Sequence, residues 1–138
     1  MEKIKEKTNA IRALEQKKIP FTFHEYPSET ALSGVEVAEL IGQPLQKVYK
    51  TLVTVGKSNT HYVFVVPAAA ELDLKKAAKA AGEKSVEMVK SKELLPLTGY
   101  VHGGCSPVGM KKPFASFIDV SAEALPTIIV SGGKIGFQ

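Results

Sequence analysis

A lysine set inside an apolar, β-rich run is the residue of this chain best suited to chemistry. Lys50 sits in Val48-Tyr49-Lys50-Thr51-Leu52-Val53. A strand lysine is usually only solvated. One that points into a pocket instead is held more rigidly than on a loop, close to a phosphate or to negative charge developing on an ester oxygen. Two glycine-containing segments are candidates to converge on it, Gly103-Gly104-Cys105-Ser106-Pro107-Val108-Gly109 and Ser131-Gly132-Gly133. Glycine lets a backbone approach a ligand and present its amides, although each segment reads equally well as a tight turn.

Other chemistries find less support. Cys105 and His102 suggest a thiol nucleophile with a base, but a spacing of three in a glycine-rich loop is not itself that geometry, and a lone cysteine more often packs as an inert small residue. His24, His61 and His102 show no metal-ligand spacing, so no metal or other cofactor is expected. Only Asp73 and Asp119 represent aspartate, and no carboxylate dyad stands out. The chain has no Gly-x-Ser-x-Gly elbow, Walker loop or dinucleotide fingerprint, which removes the common hydrolase and nucleotidase templates.

Composition narrows the partner. The 138 residues carry 18 basic and 14 acidic side chains, a net charge of +4, and Arg12 is the only arginine. Arginine supplies the fork that reads base edges, whereas lysine is a point charge suited to phosphate, so a sequence-reading DNA binder is disfavoured and an RNA or nucleotide backbone is permitted. With 44% hydrophobic residues, one self-sufficient domain over residues 1–138 is expected. A single cysteine excludes an intramolecular disulfide, no run approaches the roughly 20 apolar residues of a membrane span, and the charged start is unlike a signal peptide. A cytoplasmic protein without membrane contact is the expectation.

The elements that must position these residues follow from periodicity. Residues 2–18 read as an amphipathic helix closing before Pro20, and residues 21–26 alternate like a half-buried strand. Ser33-Gly34-Val35-Glu36 is a capping box opening a helix to Ile41, stopped by Gly42. Residues 48–55 and 62–66 form a hairpin around Gly56-Lys57-Ser58-Asn59. Asp73 caps a helix over residues 74–81 that ends at Gly82, and residues 91–95 hold one helical turn. Strands resume at residues 115–120 and 127–130. Without strict strand-helix alternation, the fold class is mixed α/β, α+β-like, with a central antiparallel or mixed sheet flanked by helices.

Four segments, Val48-Tyr49-Lys50-Thr51-Leu52, Glu71-Leu72-Asp73-Leu74-Lys75-Lys76, residues 98–109 and Val130-Ser131-Gly132-Gly133-Lys134, together resemble the YbaK/EbsC family of aminoacyl-tRNA deacylases, which is related to the editing insertion of bacterial prolyl-tRNA synthetases. The subgroup most similar removes cysteine from mischarged Cys-tRNA(Pro). The resemblance implies a mainly antiparallel sheet, a pocket for the aminoacyl-adenosine end of tRNA, and release of cysteine by attack of the substrate's own thiol, with no protein nucleophile. It assigns Lys50 and Gly103 to catalysis, and Tyr26, Leu32, Gly104, Ser131 and Gly132 to substrate binding.

Three departures accompany the resemblance. The pocket phenylalanine after Glu-Thr is replaced near Leu32, the arginine usual after Ser-Gly-Gly-Lys is Ile135, and relatives commonly extend beyond Gln138 by a strand and a helix, so a C-terminal helix is expected to be missing. The altered Leu32 region leaves hydrolytic deacylation of Ala- or Ser-tRNA open, and a non-catalytic tRNA- or nucleotide-binding module is the remaining alternative. The resemblance also suggests prolyl-tRNA synthetase as a ternary partner.

Overall fold

The computed structural model describes residues 7–27 and 32–138. Its centre is a hairpin of β1 (Tyr49–Gly56) and β2 (His61–Pro67), antiparallel with Lys50 opposite Val66 and Val53 opposite Val63. Valine, threonine and aromatic side chains fit a pleated, buried surface, and Asn59 takes the positive φ of +69° that the turn requires. Two strands extend the hairpin to the order β3-β1-β2-β4: β3 (Val86–Met88) runs antiparallel to β1, and β4 (Ala115–Ile118) runs parallel to β2. The sheet is therefore mixed, as the sequence leads one to expect.

Each face of the sheet is covered. Helix α3 (Leu74–Ala81) lays Ala77 and Ala78 against Phe64 and Val66, and small alanines let helix and sheet approach closely. On the opposite face Tyr49, Val53, Val63 and Val65 pack with Ala10 of α1 (Asn9–Gln16), Leu94 of α4 (Ser91–Thr98), Tyr100 and Cys105. The caps of α2 (Gly34–Ile41) and α3 match the sequence reading. Ser33 and Glu36 form a complete capping box, Asp73 accepts from the amides of Lys75 and Lys76, and Gly42 and Gly82 close the helices in the left-handed conformation.

Several expectations need correction. The first described helix starts at Asn9, because the Thr8 hydroxyl accepts from the Ile11 amide and fixes the start there; residues 1–6 lie outside the described residues. Residues 21–26 contribute a single bridge, Glu25 to Phe137, since their partner is the irregular C-terminal segment. Residues 127–130 likewise reduce to one parallel bridge, Val48 to Ile129. Conversely, α4 runs a turn further than expected, through Pro96, until Gly99 ends it at φ +84°. The three-residue β3 gave no periodic signal.

Candidate active site

The N-terminal end of β1 meets the segment that carries Ser131 through one bridge. The parallel bridge joins Val48 to Ile129, with the Tyr49 amide donating to Ile129 O (2.8 Å) and the Ile129 amide to Lys47 O (2.7 Å). Lys50 and Ser131 each lie two residues past that bridge along their own segments. Lys50 also stands opposite Val66, and directly opposed residues share a face, so its side chain leaves on the face that α3 covers. Lys50 is half-buried there.

The two glycine segments meet each other. A Cβ on Gly104 would lie 2.9 Å from Lys134 Cα and 3.0 Å from the Ile135 nitrogen, so only glycine allows the first loop to rest on the backbone of the second. Gly132 is equally tight against Phe137, whose carbonyl accepts its amide at 2.8 Å. Tyr26 enters from the other side: its amide donates to Gly136 O (2.9 Å), and His24 and Gln138 exchange two backbone hydrogen bonds of 2.9 Å. Tyr26 is 5% exposed, a wall packed into the interior. The half-buried Leu32 precedes the α2 cap, and a Cβ on Gly34 would overlap that of Ala68, whose amide donates to Val48 O. Leu32 thus reaches the same end of the sheet through α2, separately from the glycine contacts.

The backbone amides divide into used and unused. The Gly104 amide donates to Val101 O, Gly132 to Phe137 O and Gly133 to Ser131 Oγ. Among the described residues, the Gly103 amide has no such acceptor, and its positive φ of +86° turns the exposed loop at that point. Ser131 Oγ accepts from Gly133, and its own proton has no acceptor among the described residues.

No side chain near this strip is a prepared nucleophile. Cys105 is buried, and loss of solvation pushes its thiol up to about 11 from 9.0, only partly offset by a hydrogen bond with Thr98. His102 is exposed, so the two do not form the activated pair. Ser106, 1% exposed, accepts the Val108 amide within its own loop. Among the described residues, no three His, Cys, Asp or Glu side chains cluster as metal ligands.

Two residues join the site that their types alone did not mark. The Thr8 hydroxyl, besides capping α1, donates a hydrogen bond to Gly132 O and ties the helix to the second glycine strip. Thr51 Oγ1, next to Lys50, is buried without a hydrogen-bond partner among the described residues. Neither could be found from spacing, because both contacts are long-range. A concavity of about 710 Å³ lies at the opposite end of β1, among Val55, His61, Glu87 and Leu97, and holds none of the expected site residues.

The family model described as "Aminoacyl-tRNA editing domain" matches residues 28–137. The chain is 49% identical over 137 residues to the Enterococcus faecalis protein named "Putative Cys-tRNA(Pro)/Cys-tRNA(Cys) deacylase EbsC", covering 99% of this chain and 84% of that one. Among solved structures, one described as "a putative trans-editing enzyme for prolyl tRNA synthetase" superposes with a TM-score of 0.82 at 28% identity, over 94% of this chain and 81% of the other. The hypothetical protein APE2540 superposes at 0.85 and 21% identity, over 94% and 85%, and shares the fold. A lysine strand, two interlocked glycine loops and these likenesses in both sequence and fold lead to one assignment: the chain belongs to the aminoacyl-tRNA editing domain family.

Proposed function

We propose that this protein is a trans-editing deacylase that removes cysteine from mischarged Cys-tRNA(Pro), the thiol of the bound amino acid acting as nucleophile. The observation that supports the reading is a half-buried Lys50 at the end of β1 that borders the Ser131 segment, with the Gly103 amide unengaged in its own loop and no activated nucleophile among the described residues nearby. The likeness to the deacylase supports the substrate.

In this mechanism the substrate Sγ attacks the carbonyl carbon of its own ester. A C–S bond forms, the bond from carbonyl carbon to ribose oxygen breaks, and the thiol proton ends on that departing oxygen, so cysteine leaves as a thiolactone and adenosine regains its hydroxyl. The protein's task is to fold a flexible ester onto itself, a proximity effect that contributes several kcal/mol and in favourable cases about 7–11. The Lys50 ammonium stabilises charge on the leaving ribose oxygen, and the Gly103 amide meets the carbonyl oxygen as it becomes an oxyanion. Ser131 Oγ donates to the terminal ribose, while Gly104 and Gly132 hold the loops in contact. Tyr26 and Leu32 wall the pocket. Selection of tRNA(Pro) is assigned to prolyl-tRNA synthetase acting as a ternary partner.

Product identification tests the mechanism. Labelled Cys-tRNA(Pro), Ser-tRNA and Ala-tRNA(Pro) are incubated with the protein and the released species separated. Loss of cysteine alone, as thiolactone, is the expected result. Comparable release of serine or alanine as free acid makes water the nucleophile and overturns substrate-thiol attack.

A further inference from the structure

A strand's backbone groups point alternately to its two sides, and the bonds around β1 show which of its residues face outward. Val48 O accepts from the Ala68 amide and the Gly56 amide donates to Thr60 O, both toward β2. The Tyr49 amide instead donates to Ile129 O, and Val53 O accepts from the Val89 amide at 3.1 Å, both on the other side. Thr51, midway between Tyr49 and Val53, therefore turns its N–H and C=O outward as well. Among the described residues no segment meets them. β3 pairs with β1 only from Thr54 onward, and past Ile129 the chain turns away to Phe137, whose carbonyl takes the Gly132 amide.

Tyr49 O, Thr51 N–H, Thr51 O and Val53 N–H are thus left without a backbone partner among the described residues. Tyr49 and Val53 are buried, and the Thr51 hydroxyl is buried without a hydrogen-bond partner too. Unpaired polar groups are costly away from water, so their concentration on one stretch of edge marks a place for a ligand that brings both a donor and an acceptor. The stretch adjoins Lys50, the residue before Thr51.

We propose that Thr51 pairs with the aminoacyl group of the substrate as with one residue of an added antiparallel strand, the α-ammonium donating to Thr51 O and the Thr51 amide donating to the acyl carbonyl oxygen. The proposal rests on the editing reading for its substrate. Only an antiparallel residue exchanges both bonds with a single partner, and this fixes the direction of the ligand. The acyl carbon lies on the Tyr49 side of Thr51, so the ester oxygen leaves toward Lys50 and the segment that carries Ser131, while the ammonium lies toward Val53. Directly opposed residues share a face, so the cysteine side chain sits on the face of the Thr51 side chain, where the buried hydroxyl gains the partner it lacks. A carbonyl oxygen accepts two donors, which leaves its second lone pair for the Gly103 amide.

Amide hydrogen exchange of the wild-type protein, read residue by residue by NMR, tests the pairing without mutation. The probe is adenosine carrying cysteine through a 3′-amide in place of the ester, which blocks turnover, with adenosine alone and the N-acetyl derivative of the probe as comparisons. The Thr51 amide is expected to exchange fast in the free protein, to slow at least about tenfold at saturation with the probe, and to stay within about twofold of the free rate with adenosine alone. The N-acetyl derivative, which lacks the ammonium, is expected to bind at least about tenfold more weakly, as loss of a charged hydrogen bond requires. A Thr51 amide already protected in the free protein means that the chain fills its own edge and overturns the proposal. So does a Thr51 amide left unprotected at saturation, protection of Val53 in its place, equal protection by adenosine alone, or equal affinity of the N-acetyl derivative. Cleavage of Cys-tRNA(Pro) with Thr51 unprotected removes the pairing and leaves the deacylase reading. An intact Cys-tRNA(Pro) with Thr51 protected by the probe removes the deacylase reading and leaves an aminoacyl-binding edge.

Discussion

Cys105 shows how environment decides what a residue type can do. Its position beside His102 in a glycine-rich loop invites a nucleophile, yet burial keeps the thiol protonated up to about pH 11. Cys105→Ala is therefore expected to retain turnover within about twofold, and the native thiol to react with a disulfide reagent at pH 8 only after denaturation. The same burial has a consequence for stability. An unfolded thiol ionises near 9 and the native one near 11, so the stabilisation is fully present below pH 9 and is lost as pH rises through 11. Tyr100, pushed up to about 12 by burial and then by the charge on Cys105, adds a loss of the same sign above pH 10. Denaturant titrations from pH 8 to 11 should show falling stability, with a shallower fall in Cys105→Ala; equal slopes would contradict the burial argument.

Two helix caps separate folding from function. Asp73 holds the Lys75 and Lys76 amides at 3.0 and 3.1 Å, and its carboxylate makes no hydrogen bond to a candidate site residue among the described residues. Asp73→Ala should cost about 0.5–2 kcal/mol in urea unfolding and leave kcat near the wild-type value. Thr8 caps α1 and also bonds to Gly132 O, so Thr8→Val should lose comparable stability and, in addition, at least several-fold in deacylation. Equal activity in the two variants would remove α1 from the support of the site. These elements also mark how far the sequence could be read. Helices α2 and α3 and the hairpin were legible because a cap, a periodic face and a glycine stop, or a turn between β-branched runs, are all local. The partners of residues 25, 115–118 and 129 lie far away in sequence, so those segments could be seen as extended but not paired. Val86–Met88 is too short for a period, and Pro96 masked the second turn of α4 although its missing amide is tolerated there. At the site, Lys50 and the two glycine segments were visible as types in unusual places, while the contact between the two segments rests on Gly104 meeting Lys134, a long-range fact no local pattern encodes.

At the scale of the whole molecule, a four-stranded sheet buried on both faces leaves its N-terminal β1 end to hold the glycine loops, and lysine supplies 17 of the 18 basic charges. Such a surface binds phosphate by displacing counterions. If about three phosphates are contacted, kcat/KM for aminoacyl-tRNA should fall with a log–log slope of about −2, roughly 10–20-fold between 50 and 200 mM salt. A flat profile would argue against tRNA as the substrate. The most direct test of the central claim is a time course of labelled Cys-tRNA(Pro) with wild-type protein and Lys50→Ala at equal concentration, with circular dichroism confirming that both fold. The account predicts clearance of the ester by the wild type and a loss of at least about 100-fold in the variant, the cost of removing a charge that acts in the transition state. Turnover by Lys50→Ala near the wild-type rate, or an intact ester with enzyme in excess, would contradict it.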